Sequence, residues 1–97
     1  MKVKFCQSGG YIGLRNGCEL DTDLLPPDEI AKLQSLVEHS NILETESAHS
    51  QSARDLFNYD ITIEINEKVH HTSFDDINIP ENIVPLLDYL QSKAKPI

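Results

Sequence analysis

A hydroxyl beside two glycines, Ser8-Gly9-Gly10, is the first place to look for a nucleophile in this chain. Nucleophilic catalysis needs a base within reach and a third group to orient it. The segment is not Gly-x-Ser-x-Gly, and no helix directly follows it. Cys6 has no histidine near it in sequence, and Cys6 and Cys18 have neither CxxC nor metal-ligand spacing. Gly9-Gly10-Tyr11-Ile12-Gly13 lacks the Walker lysine and is not GxGxxG, so it is not a phosphate loop. The histidines are His39, His49, His70 and His71. Adjacent residues on a strand point to opposite faces, so His70 and His71 cannot serve one metal, and a zinc site needs three or four converging ligands. Glu19, Asp21, Asp23, Asp28 and Glu29 are spaced loosely like calcium ligands but lack the EF-hand glycine and terminal glutamate. The expectation is no catalytic residue, no metal and no cofactor. What remains is a bare-backbone tip carrying two large side chains, Tyr11 and Ile12. Such a tip serves either as a simple hairpin connection or as a binding element that pairs with a partner's edge strand.

Composition narrows the partners. The chain has 97 residues and a formal net charge of −8, from 16 acids against 8 Lys and Arg. One domain over 1–97 is expected at this length. The charge opposes phosphate backbones, so nucleic acid is excluded. The apolar stretches are far short of the ~18 residues that span a bilayer. Lys4-Phe5 leads into Cys6-Gln7-Ser8 rather than an apolar run, so no secretory signal is read and the cytoplasm is expected. A reducing compartment favours free thiols.

The elements that must position the tip are legible from period. Val3 and Phe5 alternate with Lys2 and Lys4, predicting a strand over 2–7. Ile12, Leu14, Cys18 and Leu20 stay in step, predicting a second strand over 12–22. Asn16-Gly17 is a hairpin signal, but the carried register favours one strand with a bulge at Gly17. Cys18 then faces the core and Cys6 the other side, so no disulfide joins them. Pro26-Pro27-Asp28-Glu29 opens a helix with Ile30, Leu33, Leu36 and Val37 as its stripe, ending near His39-Ser40-Asn41. A long Ser-rich loop, 41–55, follows. Tyr59, Ile61, Ile63 and Ile65 make the clearest strand; Asn66-Glu67-Lys68 turns it, and 69–74 return. Ile83, Leu86, Leu87 and Leu90 stripe a second helix, with Pro85 in its first turn.

The two halves echo each other at an offset of 53: Pro27, Ile30, Leu33 and Val37 map onto Pro80, Ile83, Leu86 and Leu90, and Asp23 onto Asp76. The expected fold is α+β, a four-stranded, mostly antiparallel sheet with two helices on one face, ββαββα. With the helices following the strand direction, the Ser8–Tyr11 loop and the 41–55 loop sit at one end and the 66–68 turn at the other.

Gln7-Ser8-Gly9-Gly10-Tyr11-Ile12-Gly13-Leu14, followed by Glu19-Leu20-Asp21-Thr22-Asp23-x-Leu25-Pro26-Pro27, resembles the emfourin family. Asp55-x-x-x-Tyr59-x-Ile61-Thr62-Ile63-Glu64 and the Pro80…Leu86-Leu87-x-Tyr89-Leu90 helix extend the resemblance from residue 1 to about 95. It implies a bacterial inhibitor of protealysin-like, thermolysin-type zinc metalloproteases, without enzymatic activity of its own and monomeric when free. The expected protease-binding residues are Ser8, Gly9, Gly10, Tyr11 and Ile12, with Arg54 and Asp55 reaching a second patch. The competing expectation uses the charge instead: an acidic module of immunity or antitoxin type with a basic protein partner.

Overall fold

The computed structural model describes residues 1–9, 14–47 and 57–96. β1 (Lys2–Gly9) and β2 (Leu14–Asp21) form one antiparallel hairpin; β3 (Phe57–Ile65) and β4 (Lys68–Asp75) form another. α1 (Pro27–Ser40) follows the first and α2 (Val84–Lys93) the second, with single 3-10 turns at 22–24, 42–44 and 81–83. The hairpins join through β1 and β3, which pair antiparallel from Lys2↔Glu64 to Gly9↔Phe57. A two-residue β5 (Lys95–Pro96) adds to β2 opposite Gly17 and Asn16, so the order is β4-β3-β1-β2-β5. Among the described residues the sheet therefore has five strands rather than four; two residues carry too little alternation to be read as a strand.

Asn16-Gly17 is not a turn. β2 runs through it with Gln7↔Asn16 and Cys6↔Gly17 in unbroken register, and so without a bulge. The chain reverses instead at Asn66-Glu67, where φ of 50° and 69° close a two-residue turn between Ile65 and Lys68. Alternation sets the faces. Val3, Phe5, Ile61, Ile63 and Phe74 are buried inward against Leu33, Val37, Ile83, Leu86 and Leu90 of the helical layer. Thr72 and Phe74 fix the inner face of β4, which its sequence left open. The outer face carries Lys2, Lys4, Thr62, Glu64 and His71. Lys4 stands opposite Glu19 and Lys2 opposite Asp21. Cys6 and Cys18 are free thiols on opposite faces. Burial pushes the Cys18 thiol up, and its Sγ donates to Leu90 O at 3.7 Å.

α1 starts at Pro27, whose missing N–H costs nothing in the first turn, with Asp28 and Glu29 at the positive end of the dipole. It ends at Asn41 in the left-handed conformation, φ 53°. The helices are antiparallel: Glu29 and Tyr89 meet at one end, Ser40 and Asn82 at the other. Tyr89 donates to Glu29 and lies under Lys32 and Lys93, whose Nζ atoms are 5.3 and 5.6 Å from its ring centre. Burial first, then the bond to Glu29 and its charge, push the Tyr89 phenol up to about 12. The folded pKa lies above the ordinary value near 10, so this contribution is whole below about pH 10 and is lost as pH rises toward 12. Tyr89→Phe is therefore expected to lose stability less steeply than the parent between about pH 9.5 and 11.5, measured by urea unfolding. An equally steep alkaline limb would refute this.

One expected juxtaposition changes. Residues Asn41, Leu43 and Glu44 line a groove of about 480 Å³ with Met1, Val37 and Ile65, so the 41–55 segment begins at the end of the sheet holding the 66–67 turn. The reason is burial: Ile42 is fully enclosed, and the end of α1 is held beside the segment before α2, where Asn82 Nδ2 donates to Ser40 O at 3.4 Å. The chain then climbs along β4, where Ser73 N donates to Ser47 Oγ at 2.9 Å and Thr72 Oγ1 to Thr45 O at 3.4 Å. Residues 48–56 lie outside the described residues, and the chain re-enters at Phe57, beside Gly9.

Candidate functional site

Three connections meet at the Gly9 end of the sheet. β1 leaves for the hairpin connection at Gly9, β3 enters at Phe57, and β4 exits at Asp75. The register joins them: Gly9↔Phe57 and Ser8↔Asn58 across β1–β3, then Asn58↔Asp75 across β3–β4. Gly9 has φ 102°, a value that a side chain with Cβ resists, so glycine is required where the strand turns into the connection. Ser8 is half-buried and faces Arg15 and Asn58 in register. His70 and His71 pair with Ile63 and Thr62, far down the ladder from Ser8. Their own partners are Thr72, 2.7 Å from His70 Nε2, and Asp60, 3.1 Å from His71 Nε2. Of the expected site residues, Ser8 and Gly9 are thus at the rim of this end. Gly10, Tyr11, Ile12, Arg54 and Asp55 lie outside the described residues.

Two adjacent carboxylates hold this rim. Asp76 Oδ2 accepts Phe57 N–H at 3.0 Å, and its Oδ1 accepts the Tyr59 hydroxyl at 2.5 Å. Burial of the ring, followed by the bond to Asp76 and its charge, raises the Tyr59 phenol well above its ordinary range. Asp75, almost fully buried, organises the turn that follows. Its Oδ1 accepts Ile77 N–H at 3.0 Å, Asn78 N–H at 3.0 Å and Asn78 Nδ2 at 2.7 Å. Between these fixed points Phe57 and Ile77 are exposed, 36% and 62%. Sequence reasoning did not find Phe57, Asp76 or Ile77 as parts of one edge. They are twenty residues apart and become neighbours only through the β3–β4 register; the echo of Asp23 in Asp76 was the single hint.

Among the described residues no three His, Cys, Asp or Glu side chains converge on a metal position, and no helix is long and apolar enough to cross a membrane. The rim offers backbone at a strand end, exposed apolar side chains and carboxylates already engaged in hydrogen bonds.

The Emfourin family model matches residues 5–91, from within β1 to near the end of α2. This chain belongs to the emfourin family. The match takes in most of both hairpins, all of α1, most of α2 and the rim just described rather than one motif. Comparison with curated proteins and with solved structures returned no match. Family membership gives the emfourin domain the general role of a protease inhibitor, a protein that acts by binding another protein.

Proposed function

We propose that this chain inhibits a bacterial protealysin-like, thermolysin-type zinc metalloprotease by seating the β1–β2 connection, residues 8–12, in the active-site cleft. The observation that carries the proposal is the family match over 5–91, which includes the strands on either side of that connection. Gly9 and Gly10 let backbone approach the cleft-edge strand, and Tyr11 or Ile12 fills an apolar specificity pocket. β1 and β2 pair over eight residues, from Lys2↔Asp21 to Gly9↔Leu14, so the connection springs from a rigid base. A rigid base lowers the ordering cost of binding and holds the tip off the geometry needed for cleavage. Arg54 and Asp55, which precede Phe57, reach a second patch on the protease. The monomer is the inhibitory unit, and its free thiols suit a reducing compartment such as the bacterial cytoplasm.

The test is peptide hydrolysis by a mature protealysin-like protease titrated with this protein, with a serine protease as control. Loss of activity near one-to-one stoichiometry, with the protein recovered uncleaved, supports the proposal. Absence of inhibition, or rapid cleavage of the protein, overturns it and turns attention to a basic partner for the acidic surface. Gly10→Val is expected to weaken inhibition tenfold or more with unchanged thermal unfolding. Undiminished inhibition by that folded variant would remove the connection from the mechanism.

A further inference from the structure

The last two turns of α1 border a groove at the Met1 end of the sheet, away from Gly9. Gln34, Val37, Glu38 and Asn41 line it at the spacing i, i+3, i+4 and i+7, so one face of the helix forms its wall. Met1, just before β1, and Ile65, the last residue of β3, add apolar surface, and Leu43 completes it. The volume of about 480 Å³ is that of a ligand site. The turn that carries Leu43 is fixed. Ile42 is enclosed and its N–H donates to Ser40 Oγ at 3.2 Å; Glu44 N–H donates to Asn41 O at 2.9 Å and Thr45 N–H to Ile42 O at 3.1 Å. Leu43, 44% exposed, is therefore presented on backbone with little left to order on contact.

An exposed leucine alone needs no explanation, but the charge around this one has a single sign. Among the described residues, the ionisable side chains lining the groove are Glu38 and Glu44; both are exposed and neither forms an ion pair. α1 also ends here, and its last carbonyls add negative potential. The Met1 ammonium donates to Thr22 Oγ1 at 3.1 Å, and His39, outside the lining, donates from Nδ1 to Ser35 O at 2.7 Å. Leu43, Glu44 and Ile65 also line an adjoining groove of about 620 Å³ with Val69, but Lys68 and His70 join that lining and mix the sign.

We infer that the α1 groove docks a basic amphipathic helix of a partner protein. Its large apolar side chains rest on Val37, Leu43 and Ile65, and Lys or Arg on the flank of that stripe meets Glu38 and Glu44. Charge complementarity selects this occupant. An acidic segment, or a second copy of a chain with net charge −8, would bring like charges onto two carboxylates and the negative end of α1. A wholly apolar segment would cover those carboxylates without a counter-charge. The wall from Gln34 to Asn41 is about 10 Å long, room for two turns of a partner helix packed against α1. This site is separate from the Gly9 end and does not rest on the inhibitor reading.

The experiment is fluorescence anisotropy of a labelled synthetic peptide titrated with the full chain. The peptide has leucines at i, i+3, i+4 and i+7 and lysines on both sides of that stripe. The comparison probes are the same peptide with each lysine replaced by glutamate, and an isomer of equal composition whose leucines share no helix face. The lysine peptide is expected to bind about tenfold tighter, or more, than either comparison probe. Leu43→Ser and the pair Glu38→Gln with Glu44→Gln are each expected to weaken it about tenfold, while Glu19→Gln with Asp28→Asn, acids outside the groove, leaves it within about twofold. Amide NMR shifts of the parent on adding the peptide should centre on residues 34–44 and 65, and they carry the test if Leu43→Ser melts early. No binding, equal binding of the three peptides, equal loss from either pair of acids, or shifts centred elsewhere would each overturn the inference.

Discussion

Phe74→Ala is expected to remove about 3–5 kcal/mol of stability, the range for deleting a large buried aromatic side chain. Phe74 is fully enclosed and faces Tyr59 across the β3–β4 ladder. Tyr59 and Ile61 on the inner face of β3, and Leu86 and Leu90 from α2, belong to the same buried cluster and are committed to fixed positions. They cannot all move in to fill the void, so the cavity cost adds to the lost transfer energy. A domain of this length has roughly 5–15 kcal/mol in total, and each kcal/mol shifts the midpoint by about 4–8 °C. The variant should therefore melt well over 10 °C below the parent. Urea unfolding with an unchanged slope checks that the loss is in stability rather than compactness. A loss below about 1 kcal/mol would contradict the packing described.

Asp76→Ala carries the second large effect, and it reaches both stability and inhibition. The Asp76 carboxylate is the acceptor for a buried phenol and for the first N–H of β3. Truncation leaves the Tyr59 hydroxyl without that partner inside the rim, which costs roughly 1.5–3 kcal/mol for a bond to a charged group. Asp76→Asn keeps an acceptor oxygen and should recover part of the loss. The same truncation frees Phe57, beside Gly9, so inhibition should weaken by more than the unfolded fraction explains. Titration of the protease at a temperature where the variant is fully folded separates the two. Inhibition equal to the parent under those conditions would show that bracing the edge is irrelevant to binding. The alkaline dependence has a defined sign as well. The bond to Asp76 is made by the protonated Tyr59 phenol, so the Ala variant should also lose less stability than the parent on alkaline titration.

Strict alternation over Tyr59-x-Ile61-x-Ile63 and the helix stripes of Leu33 and Val37, then Leu86 and Leu90, made the layers legible from the amino-acid order. So did the in-phase Cys18 and Leu20, which outweighed the turn signal of Asn16-Gly17. A local dipeptide preference is small beside the burial of a whole strand face. Three features were beyond the sequence for physical reasons. β5 is two residues long and depends on where α2 ends. The start of the 41–55 segment lies at the opposite end from the one the helix stripe predicts, because a stripe says which face is buried but not how the helix crosses the sheet; Ile42, buried in the same cluster as Val37, decides that. The braced edge escaped because Phe57 and Ile77 contribute to it only through pairing across strands. The Gly-rich connection, by contrast, was visible as residue types, and Gly9 at φ 102° shows why glycine stands at its start.

The β1–β3 seam has a consequence for how the chain reaches this state. Each hairpin closes over a short stretch, but the seam joins Lys2 to Glu64 with α1 and the long 41–56 connection between them. Loop closure of that length costs entropy before any contact returns it, so seam formation is the slow event and the two hairpins are its local precursors. The edge that carries Gly9 and Phe57 is built from both precursors. Its assembly is therefore a late step of folding, and a nascent chain released before Phe57 has only half of that edge.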